Sequence, residues 1–187
     1  IRKKNNTPPH PSGLCGSGVV SAVAQFCRKG VISPDGAFNP DTGAKALKRD
    51  QNGRYQFDIL DRRTNGKQVP VFISQKDIRS VQLGKGALIT GIDFLLKKAG
   101  FSQPKLIIIA GAFGTFLDKS DMKTLGMIPA SKGIEMAGNA AGTGAIMALC
   151  DTDYLNKAMA MAKMTRIIDL ASDQEFHANF IHRLSFP

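Results

Sequence analysis

The feature that most constrains the fold is an uninterrupted apolar strand that runs directly into a glycine-rich loop, at residues 105–115 (KLIIIAGAFGT). Four consecutive aliphatic residues, Leu106 to Ile109, do not alternate with polar residues, which is typical of a strand covered on both faces of a parallel sheet. The glycines that follow let a ligand approach the backbone, because no Cβ stands in the way. In open α/β sheets, ligands bind just beyond the carboxyl ends of the strands. The sequence therefore predicts an α/β fold with a ligand site after this strand.

A second small-residue patch lies further along the chain, at residues 138–145 (GNAAGTGA), where it opens an apolar helix. Taken alone, the first loop is equally compatible with a tight strand-to-helix turn that binds nothing. The pairing of the two patches favours a nucleotide-binding lobe. The chain has no Gly-x-x-x-x-Gly-Lys-Ser/Thr loop of the kind that cradles phosphates.

A third glycine-rich segment, residues 13–18 (GLCGSG), leads into a helix whose apolar residues recur at three- and four-residue spacing up to Gly30. Its glycine spacing is reversed relative to the dinucleotide-binding fingerprint, and no strand precedes it. Two interpretations stay open: an anion-binding helix N-terminus, or a glycine-rich helix entry that packs against another helix.

The longest predicted helix covers residues 74–98. Ser74 can cap its N-terminus, with Asp77 three residues later in the capping-box position. Three glycines lie inside this helix, and each costs roughly 1 kcal/mol relative to alanine. Their presence indicates either close packing on a neighbour or clearance for a ligand; they stand at positions 84, 86 and 91.

Turn signals recur between residues 34 and 66, with short strand candidates at residues 54–60 and 68–73. We therefore predict three parts: a linker at 1–12, a main lobe at 13–32 and 74–187, and a β-rich insertion at 33–73. Further elements of the main lobe are predicted as helices at 116–125, 143–149 and 154–162, strands at 134–136 and 167–170, and a partly helical tail. The chain begins at Ile1 and not at a methionine, so we expect it to be part of a longer polypeptide.

The net charge of +10, from 25 basic and 15 acidic residues, is compatible with nucleic acid, an acidic partner or an anionic ligand. The basic residues are scattered, and two tyrosines and no tryptophan are present to stack on bases. We therefore expect an acidic protein partner, or simple solvation of the basic side chains, and no nucleic acid. No apolar run approaches the roughly 20 residues that span a bilayer, so no membrane segment is predicted.

The cysteines Cys15, Cys27 and Cys150 are odd in number and form no C-x-x-C pair, which argues against a disulfide framework and a structural zinc site. An ordinary iron–sulfur cluster takes four thiolates, so none is expected in this chain. A reducing cytoplasm fits these cysteines best. The histidines share no metal-ligand spacing and no nucleophile–base arrangement is visible, so the sequence predicts no catalytic residue and no metal ligand.

With these pieces in order, the chain resembles the ATPase superfamily of actin, sugar kinases and heat-shock chaperones. Residues 107–114 (IIIAGAFG) are similar to its adenosine motif, with Gly111-Ala112 in place of the usual Gly-Gly pair. Residues 138–145 are similar to its second connecting motif, which starts a helix at the interlobe hinge. The resemblance implies an α/β fold, namely a ribonuclease-H-like (actin-like ATPase) subdomain with a small β-rich insertion.

Within that superfamily, the chain is similar to the reductive activators of corrinoid proteins over nearly its whole length from Ser12. The segments that carry this resemblance are 13–20 (GLCGSGVV), 75–87 (QKDIRSVQLGKGA), 110–114 (AGAFG), 138–142 (GNAAG) and 186–187 (FP). These proteins use ATP to drive the one-electron reduction of a cobalt(II) corrinoid to cobalt(I), with an electron from an iron–sulfur domain. The chain resembles only their C-terminal part, since it has neither the Asp-x-Gly-Thr phosphate loops nor the cluster cysteines.

The resemblance implies a nucleotide site and a hinge in this chain. The loop residues expected on the adenosine side are Gly111, Ala112, Phe113 and Gly114. The candidates for the rim of the adenine pocket share one helix face by their spacing, with a solvated face as the alternative; they are Gln75, Arg79 and Gln82. The hinge is expected to contain Gly138, Asn139, Ala140 and Gly142.

For the full-length protein, the resemblance implies ATP and Mg²⁺ as cofactors and an iron–sulfur cluster in an N-terminal domain. The implied partners are a corrinoid protein and the rest of the same polypeptide, and a homodimer stays open. This chain alone is expected neither to hydrolyse ATP nor to reduce cobalt. Two alternatives are the nucleotide-binding lobe of a kinase- or chaperone-like protein and a non-catalytic module that docks the corrinoid protein.

Overall fold

The computed structural model describes residues 11–60, 63–64, 67–68, 71–170 and 172–187. Nearly all of the predicted linker, residues 1–12, lies outside the described residues. The α-helices are α1 (Gly16–Arg28), α2 (Gln75–Lys98), α3 (Lys119–Thr124), α4 (Ala140–Cys150), α5 (Thr152–Met164) and α6 (Gln174–His182). The strands are β1 (Leu47–Arg49), β2 (Tyr55–Leu60), β3 (Arg63–Thr64), β4 (Lys67–Gln68), β5 (Val71–Ser74), β6 (Leu106–Ala110) and β7 (Gly133–Gly138).

An antiparallel sheet of order β1-β2-β5 occupies the region between α1 and α2, and β3 pairs with β4 beside it. Strand β2 lies where the sequence predicts a strand, and β5 covers the end of the second predicted span. The sheet packs on α1 through aromatic contacts, since the ring of Phe26 lies 4.5 Å from that of Phe57 and 6.2 Å from that of Phe38. The division of the chain into a main lobe and an insertion stays a prediction.

Helix α2 begins where the sequence predicts it, because Ser74 and Asp77 form the capping box. The amide of Asp77 donates to Ser74 Oγ at 3.3 Å, and the amide of Ser74 donates to Asp77 Oδ2 at 2.8 Å. These two bonds satisfy two backbone donors that a helix start leaves unpaired. The capping signal is local in sequence, which is why it could be read without the structure.

The hydrophobic core lies between α1, the end of β5, the start of α2 and the α3 region. Its most deeply buried side chains are those of Val23, Ile73, Ile78 and Leu125. Burying each such side chain contributes roughly 1.5–3 kcal/mol. This core positions both the N-terminal half of α2 and the segment that follows β6.

Strands β6 and β7 form a two-stranded parallel sheet. The prediction that β6 is covered on both faces is wrong for this chain, since Leu106 and Ile108 are exposed, the latter by 60%. Ile109, on the other face, packs against the core. The unbroken aliphatic run makes both faces of β6 apolar, but the described residues cover only one of them.

Other sequence-based boundaries shift for local reasons. The helix predicted at 116–125 is shorter, because Asp118 caps α3 by accepting from the amides of Ser120 at 2.8 Å and Asp121 at 3.0 Å. The strand predicted at 167–170 is wrong: the segment is irregular and Ile167 is 95% exposed. Its apolar pattern has no neighbouring strand within the described ranges. Among the residues that the structure describes, no helix is both long and apolar enough to cross a membrane.

Candidate functional site

The two small-residue patches meet at one edge of the parallel sheet. Strands β6 and β7 run in the same direction, so their carboxyl ends lie side by side, and the amide of Gly111 donates to the carbonyl of Gly138 at 2.8 Å. Both glycines have positive φ, 107° and 65°, a conformation that a side chain would strain. The structure therefore joins the predicted adenosine loop and the predicted hinge through a backbone hydrogen bond.

The loop after β6 is held by its own backbone and by Thr115. The amide and the hydroxyl of Thr115 donate to the carbonyl of Gly111 at 3.1 and 3.0 Å. Gly114 is buried against the strand, and a Cβ there would lie 2.9 Å from Cγ2 of Ile109. Gly111 has nothing within 4 Å of its Cβ position, so its backbone is open to a ligand.

The segment after β7 turns into α4 through Asn139. Its side-chain oxygen accepts from the amide of Gly142 at 3.1 Å, and its carbonyl accepts from the amide and the hydroxyl of Thr143. A Cβ on Gly142 would lie 2.6 Å from the side-chain nitrogen (Nδ2) of Asn139. This cap starts α4 at Ala140, earlier than the predicted Thr143.

A cleft of about 430 Å³ opens beside this loop, between the start of α1 and α2. We call it the Phe113 cleft, and its lining includes Gly16, Asp77, Ser80, Gly84, Lys85 and Phe113. A Cβ on Gly16 would lie 2.7 Å from Cε2 of Phe113, so the absence of a side chain at Gly16 leaves room for the aromatic ring. This contact is with the loop after β6 and not with another helix, so both interpretations of residues 13–18 stay predictions.

The three glycines inside α2 have different surroundings. A Cβ on Gly86 would meet Leu184 and Phe180 side chains at 3.1 and 3.2 Å, so that glycine allows close packing. A Cβ on Gly91 would make an ordinary contact with Leu170 at 3.6 Å. Gly84 faces the Phe113 cleft with nothing within 4 Å, which matches the interpretation that it gives a ligand clearance.

The predicted adenine-rim residues lie on a neighbouring face of α2, which holds the turn at residues 33–38. Gln75 donates to the carbonyl of Gly36 at 2.6 Å and accepts from the amide of Phe38 at 3.2 Å. Arg79 donates to the carbonyl of Asp35 and to Gln82 Oε1.

Gln82 is only 3% exposed, and its amide donates to the carbonyls of Asp35 at 3.0 Å and Leu184 at 3.1 Å. Gln75 and Arg79 also line a second cleft of about 590 Å³, beside the β-rich region. The structure thus does not bring these three side chains into the Phe113 cleft. Their role at the adenine rim stays a prediction.

Besides Gly84, which the sequence already offered as clearance for a ligand, the Phe113 cleft is lined by Asp77, Ser80 and Lys85, which sequence reasoning did not assign to a site. Positions 77, 80 and 84 share one helix face by their spacing of three and four, which is the signal that could have found them. That periodicity is equally good for positions 75, 79 and 82. The choice between the two faces depends on contacts far away in the sequence.

Lys85 is the charged group most affected by its surroundings at this site. It is 3% exposed, and burial lowers the pKa of its ammonium, as does the neighbouring Arg183. On the adjacent face of α1, burial raises the pKa of the Cys27 thiol to about 11. Within the described ranges, no three side chains of the His, Cys, Asp and Glu types form a cluster that could hold a metal ion.

A family model described as the C-terminal domain of RACo, the ASKHA domain, matches residues 1–187. The chain belongs to this family. The ASKHA domain is the actin-like ATPase fold, so both the fold class and the resemblance to reductive activators of corrinoid proteins, predicted from the sequence, are confirmed.

A curated relative is the corrinoid activation enzyme RamQ of Eubacterium limosum, which is 34% identical over 186 residues covering 94% of this chain. A solved structure described as a reductive activator for corrinoid, iron–sulfur protein superposes on 93% of the chain with a TM-score of 0.80 and 24% identity, which supports the fold. This ASKHA chain spans 31% of the length of the first protein and 28% of the second.

Proposed function

We propose that this chain supplies the adenosine-binding and hinge portion of an ATP-dependent activator of corrinoid proteins. The parent polypeptide would use ATP to drive the reduction of a protein-bound corrinoid from cobalt(II) to cobalt(I). The observation that carries this proposal is the hydrogen bond between Gly111 and Gly138 at the carboxyl ends of β6 and β7, beside the Phe113 cleft. Membership in the ASKHA family and the relatives' described activity support it.

The proposed division of labour follows from the side chains in hand. Gly111 and Ala112 offer open backbone to the ribose and base, the aromatic ring of Phe113 offers a face for stacking, and the buried Gly114 lets the loop turn close to β6. Magnesium and the phosphates would be held elsewhere in the polypeptide. An iron–sulfur cluster outside this chain would supply the electron, so that the cluster is oxidised as cobalt(II) is reduced.

ATP would act by biasing two arrangements of the lobes. A ligand shifts such an equilibrium only by its differential affinity for the two states. The hydrogen bond from the amide of Gly111 to the carbonyl of Gly138 connects the loop to the end of β7, two residues before α4 begins. A nucleotide that fixes the loop would therefore also restrain the start of α4. The corrinoid protein would respond to the resulting change in lobe orientation.

The remainder of the same polypeptide is the proposed occupant of the uncovered apolar surface. This surface comprises the bare face of β6 and the helices α4 and α5, in which no residue is buried. Helix α4 contains no charged residue, and an interface of that composition resembles a domain core cut in two. The corrinoid protein is the proposed transient partner, and a reducing cytoplasm the proposed location, supported by the free thiols of Cys15, Cys27 and Cys150.

The proposal is tested in the full-length protein with Gly84→Val and the matched control Ala87→Val. Ala87 is exposed on the same helix, three residues further on, outside the lining of the Phe113 cleft. We expect Gly84→Val to lower the affinity for a non-hydrolysable ATP analogue at least tenfold and Ala87→Val to leave it unchanged, by calorimetry. Equal affinities for the two variants would contradict the assignment of the cleft.

The same preparation tests the reaction. The corrinoid absorbance should report cobalt(I) formation only when ATP and an electron donor are both present. Cobalt(I) formation at the same rate without ATP would contradict the proposed coupling. A nucleotide-bound structure with Gln75, Arg79 and Gln82 more than roughly 6 Å from the base, beyond hydrogen-bond reach, would show the rim prediction to be wrong.

A further inference from the structure

We infer that Lys85 is a positioning residue that ties the Phe113 cleft to the C-terminal segment, residues 184–187. This inference rests on the proposed nucleotide site. In this arrangement the lysine stem forms part of the cleft wall, and its ammonium anchors that wall to the backbone of the tail.

The contacts of Lys85 place it between two structures. Lys85 lines the Phe113 cleft beside Gly84, while its ammonium donates to the carbonyl of Ser185 at 2.5 Å and lies 5.7 Å from the ring centre of Phe186. No carboxylate lies within 4 Å of this ammonium in the part of the chain that the structure describes. The principal partners of the charge are therefore a backbone carbonyl and an aromatic ring.

A buried lysine at position 85 is energetically unfavourable unless its charge is compensated. Fully buried lysines are rare unless they are paired, because taking an ammonium out of water is costly. A methionine would fill a similar volume without that cost. The lysine adds a charge-assisted hydrogen bond that fixes Ser185, together with an interaction between its charge and the face of Phe186.

The acceptor is itself held in place, so the bond can position α2. Phe186 is buried, and its amide donates to the carbonyl of Pro34 at 2.8 Å. A second α2 side chain, Gln82, donates to the carbonyl of Leu184 at 3.1 Å. A Cβ on Gly126 would lie 3.0 Å from Cγ of Pro187, which seats the end of the tail against the turn after α3.

Helix geometry explains how one residue can serve both sides. Residues 85 and 86 lie three and four positions after residue 82, and all three contact the C-terminal region of the chain, whereas 77, 80, 81 and 84 face the cleft. Lys85 lies at the boundary of the two faces. Loss of its bond would let this part of α2 move away from the loop that carries Phe113.

The test compares nucleotide affinity in the full-length protein and three lysine variants. Lys85→Met keeps the stem and removes the donor, Lys85→Arg keeps a charged donor, and Lys98→Met is the control, since Lys98 lies at the exposed end of α2 beside Phe94. We expect Lys85→Met to weaken binding of a non-hydrolysable ATP analogue roughly ten- to a hundredfold, the effect of losing a hydrogen bond to a charged group. Lys85→Arg should recover most of this loss, and Lys98→Met should bind as the wild type does.

A pH profile separates positioning from a merely structural role. The titratable or charged groups that act on the Lys85 ammonium are Arg183 after α6 and Cys27 on α1. Asp77 lines the same cleft, but its carboxylate accepts from Ser74. Burial lowers the pKa of the ammonium. Wild-type affinity should therefore fall as alkaline pH deprotonates Lys85. In Lys85→Arg the fall should shift to higher pH, because arginine stays protonated.

A second variant protects the test against misfolding of Lys85→Met. Phe186→Leu leaves the lysine intact and loosens the segment that carries its acceptor, so it should also weaken nucleotide binding while circular dichroism stays native. If folded Lys85→Met or Phe186→Leu bound the nucleotide with the same affinity as the wild type, this inference would be overturned and the proposed function would stand. Absence of nucleotide binding in the wild type would instead overturn the proposed function and this inference with it.

Discussion

The body around α1, α2 and α3 and the hairpin of α4 and α5 are built from similarly apolar sequence but are packed in opposite ways. Leu125, beside α3, is fully buried, whereas Leu149 on α4 is 87% exposed. Within the described ranges, α4 and α5 contribute no buried residue at all. Because an isolated helix of this length is marginal in water, the hairpin needs a partner that the body does not need.

Of these two regions, as far as the structure describes them, only the body around α1, α2 and α3 buries its own apolar side chains. The body closes its own core and adds polar ties between distant elements, such as the bonds from Arg28 on α1 to Asp121 at 2.6 Å and Thr124 at 3.1 Å on α3. The hairpin and the bare face of β6 offer methionine, isoleucine and leucine to the outside. The candidate nucleotide site lies at the boundary of the two regions, where Gly111 meets Gly138.

The largest expected effect is on amide hydrogen exchange. In this chain alone, amides of α4 and α5 should exchange at least a hundredfold faster than those of α1, because exchange reports local stability. In the full-length protein the two regions should become similar, since the proposed partner surface covers the hairpin. Equal protection of both regions in the isolated chain would remove the contrast on which this comparison depends.

Two leucine truncations, one in the body and one in the hairpin, should differ in their effect on stability. Leu125→Ala should lower the free energy of unfolding by about 2–5 kcal/mol, because it leaves a cavity in the core. Leu149→Ala should change it by no more than about 0.5 kcal/mol in the isolated chain. In the full-length protein, denaturant unfolding should show that Leu149→Ala lowers the free energy of unfolding by an amount similar to that of Leu125→Ala.

These contrasts separate what the sequence could predict from what it could not. The Ser74–Asp77 capping box and the glycine loop after β6 are local signals, and both appear where the sequence predicts them. The apolar run at 167–170 is not a strand. A strand needs a pairing partner, and the local sequence does not show whether one lies beside it.

The candidate site was harder to predict for a related reason. Spacing along α2 groups Gln75, Arg79 and Gln82 as readily as it groups Asp77, Ser80 and Gly84. Which group faces the loop with Phe113 is decided by the turn at 33–38 and by residues 184–187, which are distant in sequence. Periodicity identifies a face but not the element that lies against it.

A pair of glycine substitutions tests the two faces of α2 directly. Gly84→Ala should raise stability by up to about 1 kcal/mol, because alanine favours helix and nothing lies within 4 Å of its Cβ position. Gly86→Ala should lack that gain, since its Cβ would press on Leu184 and Phe180. Thermal unfolding of the two variants gives the comparison, and a larger gain for Gly86→Ala would show that the tail does not pack as described.

The smallest expected effect concerns cysteine reactivity. A hydrogen bond with the Ser17 hydroxyl lowers the pKa of the exposed Cys15 thiol, whereas burial raises that of Cys27 to about 11. The thiolate is the reactive form, so at pH 8 iodoacetamide should modify Cys15 before Cys27. Peptide mapping by mass spectrometry gives the order, and faster labelling of Cys27 would mean that α1 does not close over the core.

A structure of the full-length protein with a non-hydrolysable ATP analogue would test the proposed adenosine site by direct observation. We expect the adenosine to contact residues 111–114 within roughly 4 Å, with its base in the Phe113 cleft and the hairpin of α4 and α5 covered by the rest of the polypeptide. Adenosine bound elsewhere, with the Phe113 cleft empty, would contradict the account.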